Sequence, residues 1–149
     1  MPDEDPQFAG RHRRIRHDHA AETAEDYAEA VRDVCNKEGR CRVVDLAKRF
    51  GVSHVTVTKI VQRLQREGIV ESQPYGPIAL TPHGVELARN SQRRHRIVYE
   101  LLRSIGVDER TAIIDAEGIE HHVSPETLKC FQKFLKRNPL PCSRRPRTA

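Results

Sequence analysis

At 149 residues the chain has room for one modest core or two small ones, and none for a large multidomain enzyme. Lys and Arg number 26 against 21 for Asp and Glu, giving a net charge of +5 and a pI near 9.3, which favours a polyanionic partner without identifying it. No run approaches the roughly eighteen apolar residues of a membrane span, and the start, MPDEDPQFAG, has no apolar signal segment. A cytoplasmic protein with no membrane partner is therefore expected.

Residues 1–20 join an acidic start to the basic run Arg11-His12-Arg13-Arg14-Ile15-Arg16, with almost nothing apolar to bury. They read as a disordered basic arm, suited to sequence-independent phosphate contacts or to no role at all. From 21 to 37, Tyr27, Val31 and Val34 recur on one helical face and Gly39 stops the run. A short helix over 43–50, the segment Gly51-Val52-Ser53 and a longer helix to about Glu67 follow. Two β-prone stretches, 69–73 and 78–80, flank Pro74-Tyr75-Gly76-Pro77, whose composition demands a turn. Helix, helix, turn, helix, hairpin is the winged-helix order, which assigns residues 21–81 to a winged helix-turn-helix DNA-binding domain.

Thr81-Pro82 offers a hydroxyl cap with proline at the first helical position, and a long helix should run to about Ser104. Its Val98, Leu101, Leu102 and Ile105 make a stripe for other helices or a second subunit. Helices over 109–122 and 125–136 complete a helical unit at 82–137, and the Pro- and Arg-rich residues 138–149 read as a disordered tail. The fold class is thus mainly α. Four cysteines, Cys35, Cys41, Cys130 and Cys142, form no C-x-x-C pair. Reduced structural thiols are expected, since a zinc site on Cys35 and Cys41 would need partners from elsewhere.

The helix-turn-helix cues have mechanical reasons. Ala47 is small enough for two helices to cross closely, Gly51 supplies the positive φ of the turn, and Ser53 caps the next helix. Val57, Ile60, Val61 and Leu64 should pack inward, leaving Val55, Thr58, Lys59, Gln62 and Arg66 outside. Residues Ser53 to Gln62 are expected in the major groove of double-stranded operator DNA, with Ser53, His54, Val55, Thr58, Lys59 and Gln62 as candidate contacts. Tyr75 and Gly76 would form the wing, against the sugar-phosphate strand.

A second concentration of chemistry is Glu117-Gly118-Ile119-Glu120-His121-His122. On an α-helix Glu117, Glu120 and His121 project from one side. Asp26 and Glu29 repeat the three-residue relation on helix one, and His95 lies on the long helix between. If four carboxylates and two imidazoles converge, divalent cations are the economical compensation for their repulsion and lost hydration. A solvated acidic face including Asp33 is the plainer reading of Asp26 and Glu29.

Residues from about Ala21 to Phe134 resemble the manganese-regulator branch of the diphtheria-toxin-repressor family. Asp26-Tyr27 with Glu29, the helix-turn-helix, Arg94-His95 and Asp115-Ala116-Glu117-Gly118-Ile119-Glu120-His121-His122 carry the resemblance. It implies a winged helix-turn-helix DNA-binding domain followed by a helical dimerisation and metal-binding domain, acting as a homodimer. Helices after the wing would form the dimer interface, with Val98, Leu101, Leu102 and Ile105 as its candidates. By position the metal ligands would be Asp26, Glu29, His95, Glu117, Glu120 and His121, holding manganese(II), two ions per subunit. Oxygen ligands with a minority of imidazole suit manganese, whereas sulfur favours softer ions. Iron-responsive relatives carry sulfur at the places of Asp26 and Glu117. The implied output is repression of manganese-uptake genes, with no small-molecule substrate. Three alternatives stand beside it: an iron(II)-responsive regulator, a dinuclear metal hydrolase, and a metal-independent winged-helix factor whose acidic patch binds a protein. The chain departs from the family in its basic arm, its Pro-rich wing tip and Val55.

Overall fold

The computed structural model describes the backbone of residues 6–141 and the side chains of residues 18–141. In chain order the elements are α1 (Pro6–Glu38), α2 (Val43–Phe50), α3 (His54–Arg66), β1 (Val70–Ser72), β2 (Ile78–Leu80), α4 (Pro82–Ser104), α5 (Glu109–Ile119), a 3-10 turn (Glu120–His122) and α6 (Pro125–Arg137). They fall into two compact units that divide within α4, between Arg89 and Asn90. The boundary lies two turns beyond the expected 81/82 division because Ala88, on the start of α4, is fully buried in the first core.

In the first unit α1 buries Ala24, Tyr27, Ala28 and Val31, a three- and four-residue stripe, against Leu46 and Ala47 of α2, Val57, Val61 and Leu64 of α3, and Ile78 of β2. Gly51 ends α2 at φ 64, with the Val52 N–H donating to the Ala47 carbonyl at 3.1 Å. The Ser53 hydroxyl then accepts the Thr56 N–H at 3.1 Å and starts α3. These are the geometries expected of the turn. β1 and β2 pair antiparallel with Val70 opposite Leu80 and Ser72 opposite Ile78. Cys41 joins their edge through the Ile78 N–H, which donates to its carbonyl at 2.8 Å. Burial pushes the Cys41 thiol up to about 12, as befits a reduced structural residue. Thr81 caps α4 by accepting the Gly84 N–H at 3.0 Å.

The second unit is smaller. Val98 and Tyr99 of α4 pack on Ala112 and Ala116 of α5, with Leu102, Val107, Val123, Leu128 and Phe131 around them. Asp108 caps α5 by accepting the Thr111 N–H at 3.1 Å, and hydrogen bonding from the Thr111 side chain, with this backbone bond second, holds its carboxyl below its ordinary value of 3.8. A lowered native value stabilises the fold above the unfolded value and ceases to as pH falls through the native one. The cap should therefore weaken only below about pH 4, and Asp108→Asn, scanned for unfolding against pH, should flatten that acid limb.

Three expectations need correction. α1 begins at Pro6, so residues 6–20 of the expected disordered arm are helical. An apolar stripe is needed to bury a helix, not to prolong one already nucleated by its packed half, and Pro6 sits at a terminus where its missing N–H costs nothing. At the other end Leu140 is buried, so the expected disordered tail does not begin at 138. Residues 1–5 and 142–149 lie outside the described residues. Finally, the helix expected over 109–122 stops at Ile119 and tightens into the 3-10 turn.

Candidate nucleic-acid interface and metal centre

On α3 the division of faces follows the sequence. Val57, Val61 and Leu64 are buried and Ile60 partly so, while Val55, Thr58, Lys59, Gln62 and Arg66 are exposed, as are Ser53 and His54. A cleft of about 750 Å³ runs between α3 and the wing, lined by His54, Thr58 and Gln62 from the helix and by Ser72, Gln73, Pro74, Tyr75 and Gly76 from the hairpin. Tyr75, at the wing tip, is wholly exposed and is the one described non-glycine residue at positive φ, 59°. Local strain that lifts a tyrosine into solvent is typical of a contact surface. Arg42 and Gln65 are among the cleft residues that the sequence reading did not single out. Arg42 caps α2 at its edge, and the Gln65 side-chain amide donates to the Ser72 carbonyl at 2.7 Å, tying α3 to the wing. The second had no visible signal, because an exposed glutamine on a helix is ordinary until its strand partner is known.

The metal-type donors divide between the two units. In the first, Asp26 and Glu29 lie one turn apart on α1, half-buried. Glu22, a turn before Asp26, brings a carboxylate oxygen within 4.8 Å of it; the signal for Glu22 was its four-residue spacing.

In the second unit His95, Glu117 and Glu120 present ligand atoms all within 4.8 Å of one another. Glu120 is the centre of this group and, at 2% exposure, is buried. Its Oε2 lies 2.9 Å from His95 Nδ1, and its Oε1 lies 3.5 Å from both the Ser91 hydroxyl and His121 Nε2. His95 Nδ1 is also 3.7 Å from Glu117 Oε1. Despite its proximity to His95 Nδ1, Glu120 Oε2 is buried without a hydrogen-bond partner. A buried carboxylate oxygen with no hydrogen-bond partner, lying beside an imidazole nitrogen, fits a ligand facing a cation. The 3-10 turn brings Glu120 into the interior while leaving Glu117 largely exposed. Ser91, fully buried one turn before His95, was missed by the sequence reading; its four-residue spacing from His95 was the available cue. No cysteine joins a cluster of three such donors among the described residues.

The expected dimer stripe requires revision. Val98 is 1% exposed within its own chain and Leu102 packs beside it, so both belong to the core of the second unit. Ile105, at 63%, remains exposed, and α5 adds exposed Ile113 and Ile114. Periodicity identifies an apolar stripe but not what covers it, and here α5 covers half of it.

A winged reading head in the same chain as a helical unit with a hard-donor cluster is the build of a metal-dependent transcriptional regulator. The chain belongs to the iron-dependent repressor family: residues 19–78 match its N-terminal DNA-binding domain and residues 81–144 its metal-binding and dimerisation domain. The transcriptional regulator MntR of Escherichia coli O6:H1 (strain CFT073) is 42% identical over 126 residues, 85% of this chain and 81% of that protein. The HTH-type transcriptional regulator MntR of Lysinibacillus sphaericus (strain C3-41) is 39% identical over 100 residues, 67% of this chain and 72% of that one. Among solved structures, the manganese regulator SloR superposes with a TM-score of 0.66 at 25% identity, covering 76% of this chain and 53% of its own. A manganese-dependent transcriptional repressor in complex with manganese gives 0.65 at 26%, covering 76% and 52%. The chain spans about half the length of these two solved proteins. Among the described residues no helix is long and apolar enough to cross a membrane.

Proposed function

We propose that this protein is a manganese(II)-responsive repressor that binds operator DNA as a metal-loaded homodimer and controls manganese-uptake genes. The observation that carries the metal half is the buried Glu120 carboxylate set between His95, Glu117 and His121, a donor set of oxygen and imidazole with no sulfur. Such donors suit manganese, and the similar proteins named above include manganese regulators. Asp26 and Glu29 of α1 complete the proposed ligand set with His95, Glu117, Glu120 and His121, and two ions per subunit is the proposed loading. When bound, the metal would neutralise this group of carboxylates. The residues themselves would supply the switch: if the two sets share a cation, Asp26 and Glu29 would be drawn with Glu117 and Glu120 to a common charge, and without one their like charges would oppose that approach. Because α1 belongs to the reading head, holding its carboxylates would hold both recognition helices of a dimer at the separation of two half-sites. A metal favouring that state at a hundred times its dissociation constant supplies about 2.7 kcal/mol, near a hundredfold in DNA affinity.

For the dimer we propose a face including Ile105, Ile113 and Ile114 in place of Val98 and Leu102, with Leu101 at its margin. For the DNA, α3 enters the major groove through Ser53, His54, Val55, Thr58, Lys59 and Gln62, while Tyr75 and Gly76 of the wing approach the backbone. Gln62→Ala should cost about 1–3 kcal/mol at the operator and much less on unrelated DNA. Equal losses on both would make Gln62 a phosphate contact. The hydrolase alternative falls with the family, whose members are transcriptional regulators.

Operator-binding isotherms in manganese(II), in anaerobic iron(II), in zinc(II) and in chelator test the proposal. Manganese should give the largest increase in affinity, although zinc, higher in the affinity series, is expected to bind the protein more tightly. A larger response to iron(II) would transfer the assignment to iron.

A further inference from the structure

Within the first unit, α1 grips the last turn of α2 at two points. The Tyr27 and Phe50 rings stack with centroids 4.4 Å apart and planes 9° from parallel. Beside them Arg49 Nη2 donates to Asp33 Oδ2 at 2.9 Å. Tyr27 follows Asp26 and precedes Glu29 by two residues, so the stack issues from the turn of α1 that bears the proposed α1 ligands. Phe50 is the final residue of α2, and only Gly51, Val52 and Ser53 separate it from α3. That connection is stiff. Gly51 is held at φ 64, the Val52 N–H bonds back to Ala47, and Ser53 caps α3. Beside the core that α1 shares with α3, this gives a displacement or fixing of α1 a route to the first turn of α3 through one stack, one ion pair and three constrained residues.

The exposure of the pair argues for a role in orientation. Arg49 and Asp33 are 45% and 41% exposed, and ion pairs so exposed add little to stability. What the guanidinium adds is direction, since it fixes the rotation of α2 about the pivot that the flat stack provides. Arg32 Nη1 also donates to the Ala88 carbonyl of α4, at 3.4 Å, and Nη2 to Asp33 at 3.2 Å. The charged group at Asp33 thus faces both α2 and the start of α4.

We propose that Phe50 and Arg49 are positioning residues that transmit the state of the metal-bearing turn of α1 to the recognition helix, by way of Tyr27 and Asp33. This rests on the metal-switch reading above, and it adds that the two residues govern coupling while contacting neither metal nor DNA. Coupling is a property separable from both affinities.

The test uses the full chain carrying Phe50→Leu, Arg49→Gln or both, with Phe50→Tyr and Arg49→Lys as conservative controls. Three quantities are measured: manganese affinity of the free protein by calorimetry, operator affinity in chelator, and operator affinity in saturating manganese. The first two should stay within about twofold of wild type, while the manganese-induced gain in operator affinity should fall about tenfold in the double variant. Phe50→Tyr and Arg49→Lys should recover most of it. A wild-type gain in the double variant overturns the proposal, and so does a large fall in manganese affinity, which would place Phe50 in the metal site. Should Phe50→Leu prevent folding, Arg49→Gln, at an exposed position, carries the test alone: a reduced gain supports the proposal and an unchanged gain overturns it. If wild type itself shows no gain, the metal-switch reading fails, and the proposal with it.

Discussion

Glu120→Gln is expected to leave a folded protein whose manganese affinity has fallen by more than about a hundredfold and whose operator binding no longer responds to the metal. Glu120 is the one carboxylate of the cluster that solvent does not reach, and its two oxygens are approached by His95, Ser91 and His121. Loss of an outer-shell partner of a metal ligand typically costs ten- to a hundredfold in affinity, so loss of the proposed central ligand should exceed that range. Glutamine keeps the shape and one acceptor while removing the charge that a hard cation needs. Calorimetric titration with manganese, alongside operator binding, checks both parts. Metal affinity within a few-fold of wild type would remove Glu120 from the ligand set. Glu117→Gln should have a smaller effect, because that side chain is 64% exposed and water can take its place.

Gly84→Ala is expected to destabilise the first unit by about 3 kcal/mol, near the upper end of what overpacking costs. A Cβ on Gly84 would lie 2.1 Å from the Ile69 carbonyl oxygen and 3.1 Å from Leu80 Cδ2, and the backbone oxygen cannot yield as a side-chain tip would. That same oxygen accepts the Thr81 N–H at 3.1 Å, and Thr81 Oγ1 stands 2.6 Å from the Gly68 carbonyl. Retreat of α4 would therefore break the contacts that seat it on the base of the wing. Urea unfolding of the metal-free chain measures the loss. A midpoint equal to that of wild type would mean that the close approach of α4 to Ile69 is not maintained in solution.

The reading head was legible because its cues are local. Gly51 and Ser53 act on their own turn, and the inward set Val57, Val61 and Leu64 is written at helical spacing. The metal-type residues of the second unit were legible for a different reason. Glu117, Glu120 and His95 are uncommon donors at telling positions, although a regular α-helix was expected where a 3-10 turn brings Glu120 inside. What stayed hidden depends on which element covers which. Val98 reads as an interface residue until α5 is seen to lie over it, and nothing in the sequence marks Gly84 as pressed against Ile69. Ser91 and Gln65 are ordinary polar residues whose partners lie 29 and 7 positions away. The start of α1 was misjudged because the apolar pattern that identifies a packed helix is silent about its extension.

If metal and operator bind to one coupled system, the coupling is reciprocal. The most direct measurement is the manganese affinity of the protein free and bound to its operator. Manganese should bind more tightly on the operator, by the same factor by which saturating manganese tightens operator binding. Equal manganese affinities in the two states would contradict it.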